Sequence, residues 1–260
     1  MKGVALEPHL RSVAESGRKI LVTYVTGGLG PGWVDVLQAM VAAGADAVEI
    51  GIPFSDPVMD GATIQEASSR ALALGANPAS ILDDIARVDV PVPLVAMTYY
   101  NVVFRAGHVR FARMLADAGV RGAIIPDIPL EESAEWERDS AEAGVDAVLL
   151  AAPVTPDGRL AEICRRSRGF VYGVNLMGVT GERTAMSNTA GVLAKRLKGA
   201  TDKPVVMGFG ISGPEQAAAA VVEADGVVVA SALMRMMLDG SGPEQIADAV
   251  RDLRRALDRS

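Results

Sequence analysis

Short apolar runs alternate along this chain with Ala-rich stretches whose apolar residues recur every three or four positions. The runs predict eight strands, at about 20–25, 47–51, 93–97, 122–126, 146–151, 170–173, 204–208 and 226–230. Segments such as Phe111-Ala-Arg-Met-Leu-Ala-Asp-Ala and Pro214-Glu-Gln-Ala-Ala-Ala-Ala-Val carry the helical period between them. A further helical pattern near residues 5–16, with Leu6, Leu10 and Val13, precedes the first strand. One phrase recurs: Ala43-Gly-Ala-Asp-Ala-Val, Ala118-Gly-Val-Arg-Gly-Ala, Ala143-Gly-Val-Asp-Ala-Val and a looser Glu223-Ala-Asp-Gly-Val-Val. Each copy reads as a helix end, a break and a fresh strand, the repeat of a βα unit. Eight such units predict a closed (β/α)8 TIM barrel with an extra N-terminal helix, as one domain over residues 1–260. Such a barrel needs about 250 residues. An open doubly wound sheet is the alternative, but it gives no reason for glycine-rich turns after strands six, seven and eight.

Composition narrows the partners. Half of the residues are hydrophobic and few are aromatic, which suits strands covered on both faces by helices. A net charge of −7 without a basic tract argues against nucleic acid or an anionic membrane as partner. A small anionic substrate stays possible, because backbone amides bind phosphate without lysine. One cysteine, Cys164, excludes an intrachain disulfide and a cysteine-cluster metal site. The first thirty residues lack a signal-peptide pattern, and no apolar run reaches the roughly 18 residues of a membrane span. A cytoplasmic protein is the expectation.

The candidate chemistry lies in Glu49-Ile-Gly-Ile-Pro-Phe-Ser-Asp-Pro-Val-Met-Asp60. It delivers one carboxylate, Glu49, at a strand end, where a barrel places its catalytic groups, and a second, Asp60, after a loop stiffened by Pro53 and Pro57. A polar strand end followed by a solvated loop would look the same. The second constellation is Gly178-Val-Thr-Gly181 after strand six, Gly208-Phe-Gly-Ile-Ser212 after strand seven and Ala230-Ser231 after strand eight. Late turns of this kind build phosphate sites from free N–H groups, and also serve as ordinary tight turns.

Missing residues restrict the reaction. The lysines are Lys2, Lys19, Lys195, Lys198 and Lys203, and none follows a predicted strand, which argues against a Schiff base. His9 and His108 are the only histidines; His9 reads as a surface residue of the first helix and His108 as the start of the helix after strand three. Neither has ligand spacing, so no metal is expected. What is left is acid–base chemistry by carboxylates on a phosphorylated substrate. Tyr24, Tyr99, Tyr100, Tyr172 and Phe209 gather at predicted strand ends, as layer-filling side chains or as the walls for a flat apolar ligand.

Taken together, Ala45-Asp-Ala-Val-Glu-Ile-Gly-Ile-Pro-Phe-Ser-Asp-Pro, Asp60-Gly-Ala-Thr-Ile-Gln65, Tyr99-Tyr-Asn101, Pro126-Asp-Ile-Pro129, Gly178-Val-Thr-Gly181 and Gly208-Phe-Gly-Ile-Ser212 resemble the tryptophan synthase α-subunit family over nearly the whole chain. The resemblance implies a (β/α)8 barrel that performs retro-aldol cleavage of indole-3-glycerol phosphate to indole and glyceraldehyde 3-phosphate. It implies Glu49 as general acid–base and Asp60 as partner of the indole nitrogen. Gly181, Gly210, Ala230 and Ser231 would hold phosphate, and Tyr24, Ile64, Tyr99, Tyr172 and Phe209 would line the indole pocket. It also implies a pyridoxal-phosphate β subunit as partner in an α2β2 complex, with no cofactor on this chain. A stand-alone lyase releasing free indole, a barrel kept only as an allosteric partner, and another phosphate-binding barrel enzyme such as an isomerase are the rivals. Thr23, Gly27-Gly-Leu-Gly30, Val58-Met59, Ala62 and Ala230 depart from the family's common residues.

Overall fold

The computed structural model describes residues 2–174, 183–208 and 210–260. Its elements run α1 (Leu6–Glu15), β1 (Ile20–Thr26), α2 (Trp33–Ala42), β2 (Ala47–Gly51), α3 (Ala62–Ala73), α4 (Pro78–Ile85), β3 (Leu94–Met97), α5 (Tyr100–Ala106), α6 (His108–Ala118) and β4 (Val120–Ile124). The chain continues through α7 (Ala134–Glu142), β5 (Asp146–Ala151), α8 (Asp157–Arg166), β6 (Val171–Val174), α9 (Arg183–Lys198), β7 (Val205–Gly208), α10 (Pro214–Ala220), β8 (Gly226–Val229), α11 (Ser231–Leu238) and α12 (Pro243–Leu257). Each strand pairs in parallel with its sequence neighbours, and β1 pairs with β8, closing the barrel. Among the described residues no helix is long and apolar enough to cross a membrane.

Side chains on alternate strand positions point inward or outward, and the two faces have separate cores. The inward set, including Ile20, Val22, Ala47, Val95, Ile124, Val148, Phe170, Val206 and Val228, packs with Leu6, Leu10 and Val13. The extra helix α1 thus plugs one end of the barrel with the three residues whose spacing marked it. The outward set, such as Leu21, Val25, Val48, Ile50 and Val227, packs under the helices.

The recurring phrase has a physical reason. Gly44, Gly119 and Gly144 have φ between 76° and 108°, the left-handed conformation that ends a helix and redirects the chain into a strand. The polar residue that follows ties the strand starts together. Asp46 accepts from Leu21 N–H at 2.9 Å, Asp225 from Val205 N–H at 2.8 Å, and Asp146 from Glu7 N–H of α1 at 3.4 Å. In the copy with arginine, Arg121 donates to the Lys2 carbonyl instead.

Two expectations need correcting. Strand β4 begins at Val120, two residues earlier than predicted, because Arg121 is buried with its guanidinium at the plugged end while its backbone stays in the sheet. Its register with β3 shifts at Leu94/Val95. His9 is half-buried rather than on the surface, and its Nε2 is buried without a partner among the described residues. The segments after β2, β3 and β8 each hold two helices.

Asp46 is 5% exposed and its partner Arg254 of α12 is 7% exposed, with 3.0 Å between them. Removing one member of a buried pair strands the other, so Asp46→Ala should cost about 3 kcal/mol or more. Asp225 pairs with the far more exposed Lys198, so Asp225→Ala should cost less. Urea denaturation of both variants measures the difference.

Candidate functional site

Glu49 is the second-to-last inward position of β2, two residues above Ala47 of the barrel core. It sits in register with Tyr24 of β1 and Val95 of β3. It is 4% exposed, and its Oε2 has no hydrogen-bond partner among the described residues. A carboxylate there is costly to ionise. The plugged end of the barrel is closed by α1, so this side chain faces the opposite mouth.

Gly51 and Gly208 explain how large rings fit beside it. A Cβ on Gly51 would lie 1.8 Å from the Tyr24 hydroxyl, and one on Gly208 would lie 2.6 Å from the Tyr172 ring. Only glycine leaves room for each tyrosine to cross onto the neighbouring strand. Thr26 Oγ1 donates to the Tyr24 hydroxyl at 3.4 Å.

Asp60 returns over the mouth on a loop with several anchors. The Asp60 N–H donates to the Pro57 carbonyl at 3.0 Å, closing a turn. Gln65 of α3 donates through Nε2 to the Asp60 carbonyl at 2.9 Å and to Pro57 at 3.3 Å. Phe54 stacks on Tyr99 with centroids 5.3 Å apart. The Tyr99 hydroxyl accepts from Met59 N–H at 2.9 Å and bonds the Asp60 carboxylate. Tyr99 is itself placed at the start of α5, where the next N–H, of Tyr100, donates to Asp127 at 2.7 Å. Gln65 and Asp127 were not singled out from the sequence, yet both lie in the stretches that carried the family resemblance.

The electrostatics follow from this burial. Loss of water pushes the Glu49 carboxyl up to about 8, with the nearby Asp60 charge adding to the rise. Burial raises Asp60 to about 6, and the Tyr99 hydrogen bond opposes that. Tyr24, Tyr99 and Tyr172 are all raised, first by burial, and remain neutral phenols. Two carboxyls with separated pKa values in one apolar mouth are an acid–base pair in form.

The remaining expected residues are partly placed. Ile64 is buried in the first turn of α3, four positions after Asp60. Gly210 follows β7 with φ +65° and open space at its Cα. Ala230 immediately precedes α11, whose first residue is Ser231, so early N–H groups of that helix are free to face an anion. Gly181 and Phe209 lie outside the described residues. His108 starts α6 and contacts the Tyr100 hydroxyl at 3.0 Å. Lys19 and Lys203, just before β1 and β7, donate to the main-chain carbonyls of Ala224 and of Cys164 in α8. Among the described residues no three His, Cys, Asp or Glu side chains gather as for a metal.

Comparison with known proteins agrees with this geometry. The family model described as tryptophan synthase alpha chain matches residues 10–259. A tryptophan synthase alpha chain of Halorhodospira halophila is 41% identical over 259 residues, covering 96% of this chain and 95% of that one. One from Gluconacetobacter diazotrophicus is 48% identical over 212 residues, covering 80% and 77%. A solved tryptophan synthase structure from Mycobacterium tuberculosis superposes with TM-score 0.90 at 36% identity, over 98% of this chain and 99% of that one. The subunit alpha structure from Legionella pneumophila gives 0.88 at 29% identity, over 98% of each chain.

The burial of Glu49 makes a stability test. Its folded pKa lies above the unfolded one, so its contribution is fully present below about 4.5 and is lost as pH rises through about 8. Glu49→Gln does not titrate. The variant should therefore gain stability relative to the native chain between pH 5 and 8, on the order of a few kcal/mol at the top of that window. Thermal unfolding of both proteins across this range would show it; a constant difference would contradict it.

Proposed function

The chain belongs to the tryptophan synthase alpha chain family, and we propose that it catalyses the retro-aldol cleavage of indole-3-glycerol phosphate to indole and glyceraldehyde 3-phosphate. One observation carries the reading: a buried carboxyl with an oxygen unpartnered among the described residues, Glu49, faces the same barrel mouth as Asp60.

Cleavage at indole C3 needs a proton delivered to that carbon and another removed from the neighbouring hydroxyl. With a pKa of about 8, Glu49 is protonated at neutral pH and can serve first as acid. Protonation at C3 leaves positive charge on the ring nitrogen, whose N–H then hydrogen-bonds the ionised Asp60 carboxylate. The Glu49 carboxylate next takes the proton of the hydroxyl on the carbon joined to C3. The oxygen's electrons form the aldehyde carbonyl, the carbon–carbon bond breaks, and its electron pair returns to the ring and cancels the nitrogen's charge. Glu49 ends protonated, as it began.

Phosphate is assigned to the backbone N–H groups of Gly181, Gly210, Ala230 and Ser231; the free α11 start supports the last two. The indole pocket is assigned to Tyr24, Ile64, Tyr99, Tyr172 and Phe209, supported for Tyr24, Tyr99 and Tyr172 by their place around the two carboxyls.

The family name implies a β subunit as partner, and we take the assembly as α2β2. The apolar residues Val58 (74% exposed), Met59 (43%) and Phe104 (67%) support a partner surface. Val58 and Met59 lie on the Asp60 loop and Phe104 on α5, which follows the adjacent strand. Burying them against a partner would reach the loop that carries Asp60. A free-standing lyase has less use for these exposed side chains.

Glu49→Gln should abolish indole release while preserving the fold, and Asp60→Asn should slow it on the order of 10²-fold or more. Native kcat/KM should rise with pH through about 6, as Asp60 ionises, and fall above about 8, as Glu49 loses its proton. Indole release by the purified chain, with and without a matched β subunit, tests these; undiminished turnover by Glu49→Gln would remove the assigned role.

A further inference from the structure

Two unmet hydrogen-bonding needs lie on neighbouring strands. Glu49 Oε2 is buried and lacks a donor among the described residues. Tyr24 is 3% exposed; its phenolic oxygen accepts from Thr26, and its own proton has no acceptor among those residues. Buried hydroxyls and carboxyls at such depth normally find partners.

The two side chains can meet. Tyr24 and Glu49 are register partners and both turn into the barrel. The Tyr24 hydroxyl hangs where a Cβ of Gly51 would be, two residues nearer the mouth than Glu49, a rise of about 6.6 Å. A glutamate side chain turned toward the mouth covers most of that rise. Thr26 fixes the phenolic oxygen and leaves its proton to point elsewhere.

Two of the other groups facing Glu49 are committed or of the wrong kind. Asp60 is a carboxyl, and Tyr99 is taken up by Asp60 and Met59. Tyr172, from β6, also feels the Glu49 charge, but its ring crosses above Gly208 on the far, β7 side, whereas Tyr24 is the direct register partner of Glu49.

We propose that Tyr24 is a positioning residue for Glu49, its phenolic O–H donating to the Glu49 carboxylate whenever that carboxylate is ionised. The inference rests on the acid–base reading of Glu49 above and adds to it. While Glu49 holds its proton, the interaction is dispensable. Once the proton has gone to substrate, a charge sits in an apolar barrel, and Tyr24 is the neutral donor placed to meet it. The hydrogen bond holds the carboxylate for the second proton transfer and keeps its basicity in range.

The test is Tyr24→Phe, which keeps the ring over Gly51 and deletes only the donor. In ligand-free protein, the Glu49 carboxyl titration, read by carbon-13 NMR of labelled glutamate and assigned with Glu49→Gln, should move upward by about one pH unit. Tyr172→Phe should leave that midpoint in place. Cleavage by Tyr24→Phe should fall about tenfold in kcat with KM changed less than about twofold. The alkaline limb of its pH profile should move upward with the midpoint. An unmoved or lowered midpoint would overturn the proposal even if cleavage proceeds normally. A raised midpoint in a chain that does not cleave the substrate would uphold the Tyr24 contact and refute the proposed reaction instead.

Discussion

Everything in this molecule depends on filling the inside of a closed eight-stranded barrel. Parallel strands bury both faces, so each inward position must be occupied by a side chain that tolerates complete loss of water. Valines, isoleucines and Phe170 meet this through the middle, and α1 seals one end with Leu6, Leu10 and Val13. Toward the other end the apolar filling gives way. Glu49, Tyr24 and Tyr172 occupy inward positions that would otherwise continue the core. The site is the place where the packing rule is broken, and its chemistry comes from the cost of breaking it.

That cost is visible in the titration behaviour. A glutamate buried in an apolar mouth beside a second carboxyl holds its proton far above its ordinary range, which makes it an acid at neutral pH. Asp60 differs because it rests on a loop at the rim and keeps one hydrogen bond from Tyr99. Two carboxyls of similar intrinsic acidity are thereby separated by environment alone. The glycines Gly51 and Gly208 belong to the same design, since they give up side-chain packing so that phenols can cross above the strands. The opposite end of the barrel is built on the reverse rule. There Asp46, Asp146 and Asp225 are spent on backbone N–H groups.

Much of this was legible in the chain. Alternating apolar runs gave seven strands to within one residue at each end, because a buried parallel strand has few ways to be written. The fourth was displaced since Arg121 looks like a strand boundary; its long side chain instead reaches out of the core while its backbone stays paired. His9 was misjudged because helical position alone does not reveal what packs over a face. Glu49 and Asp60 stood out as carboxyls around a proline-stiffened loop. The second tier did not. Gln65, Asp127 and Thr26 act through hydrogen bonds to main chain or to another side chain across the fold, and nothing in a local pattern distinguishes them from surface polar residues.

The loop carrying Asp60 shows why such a site suits control from outside. Its hold on the barrel consists of one stacked ring pair, the Tyr99 hydroxyl and the Gln65 amide. These are a handful of contacts, each worth about 1 kcal/mol, against a barrel closed by eight paired strands. The outer face of the same loop presents Val58 and Met59 to solvent rather than to the core. A partner covering those side chains adds apolar burial comparable to all the internal anchors combined. The position of Asp60, and through its charge the acidity of Glu49, would then respond to the partner without any change in the barrel. Keeping the acid in a rigid strand and its counterpart on a lightly held loop separates the power to react from the permission to do so.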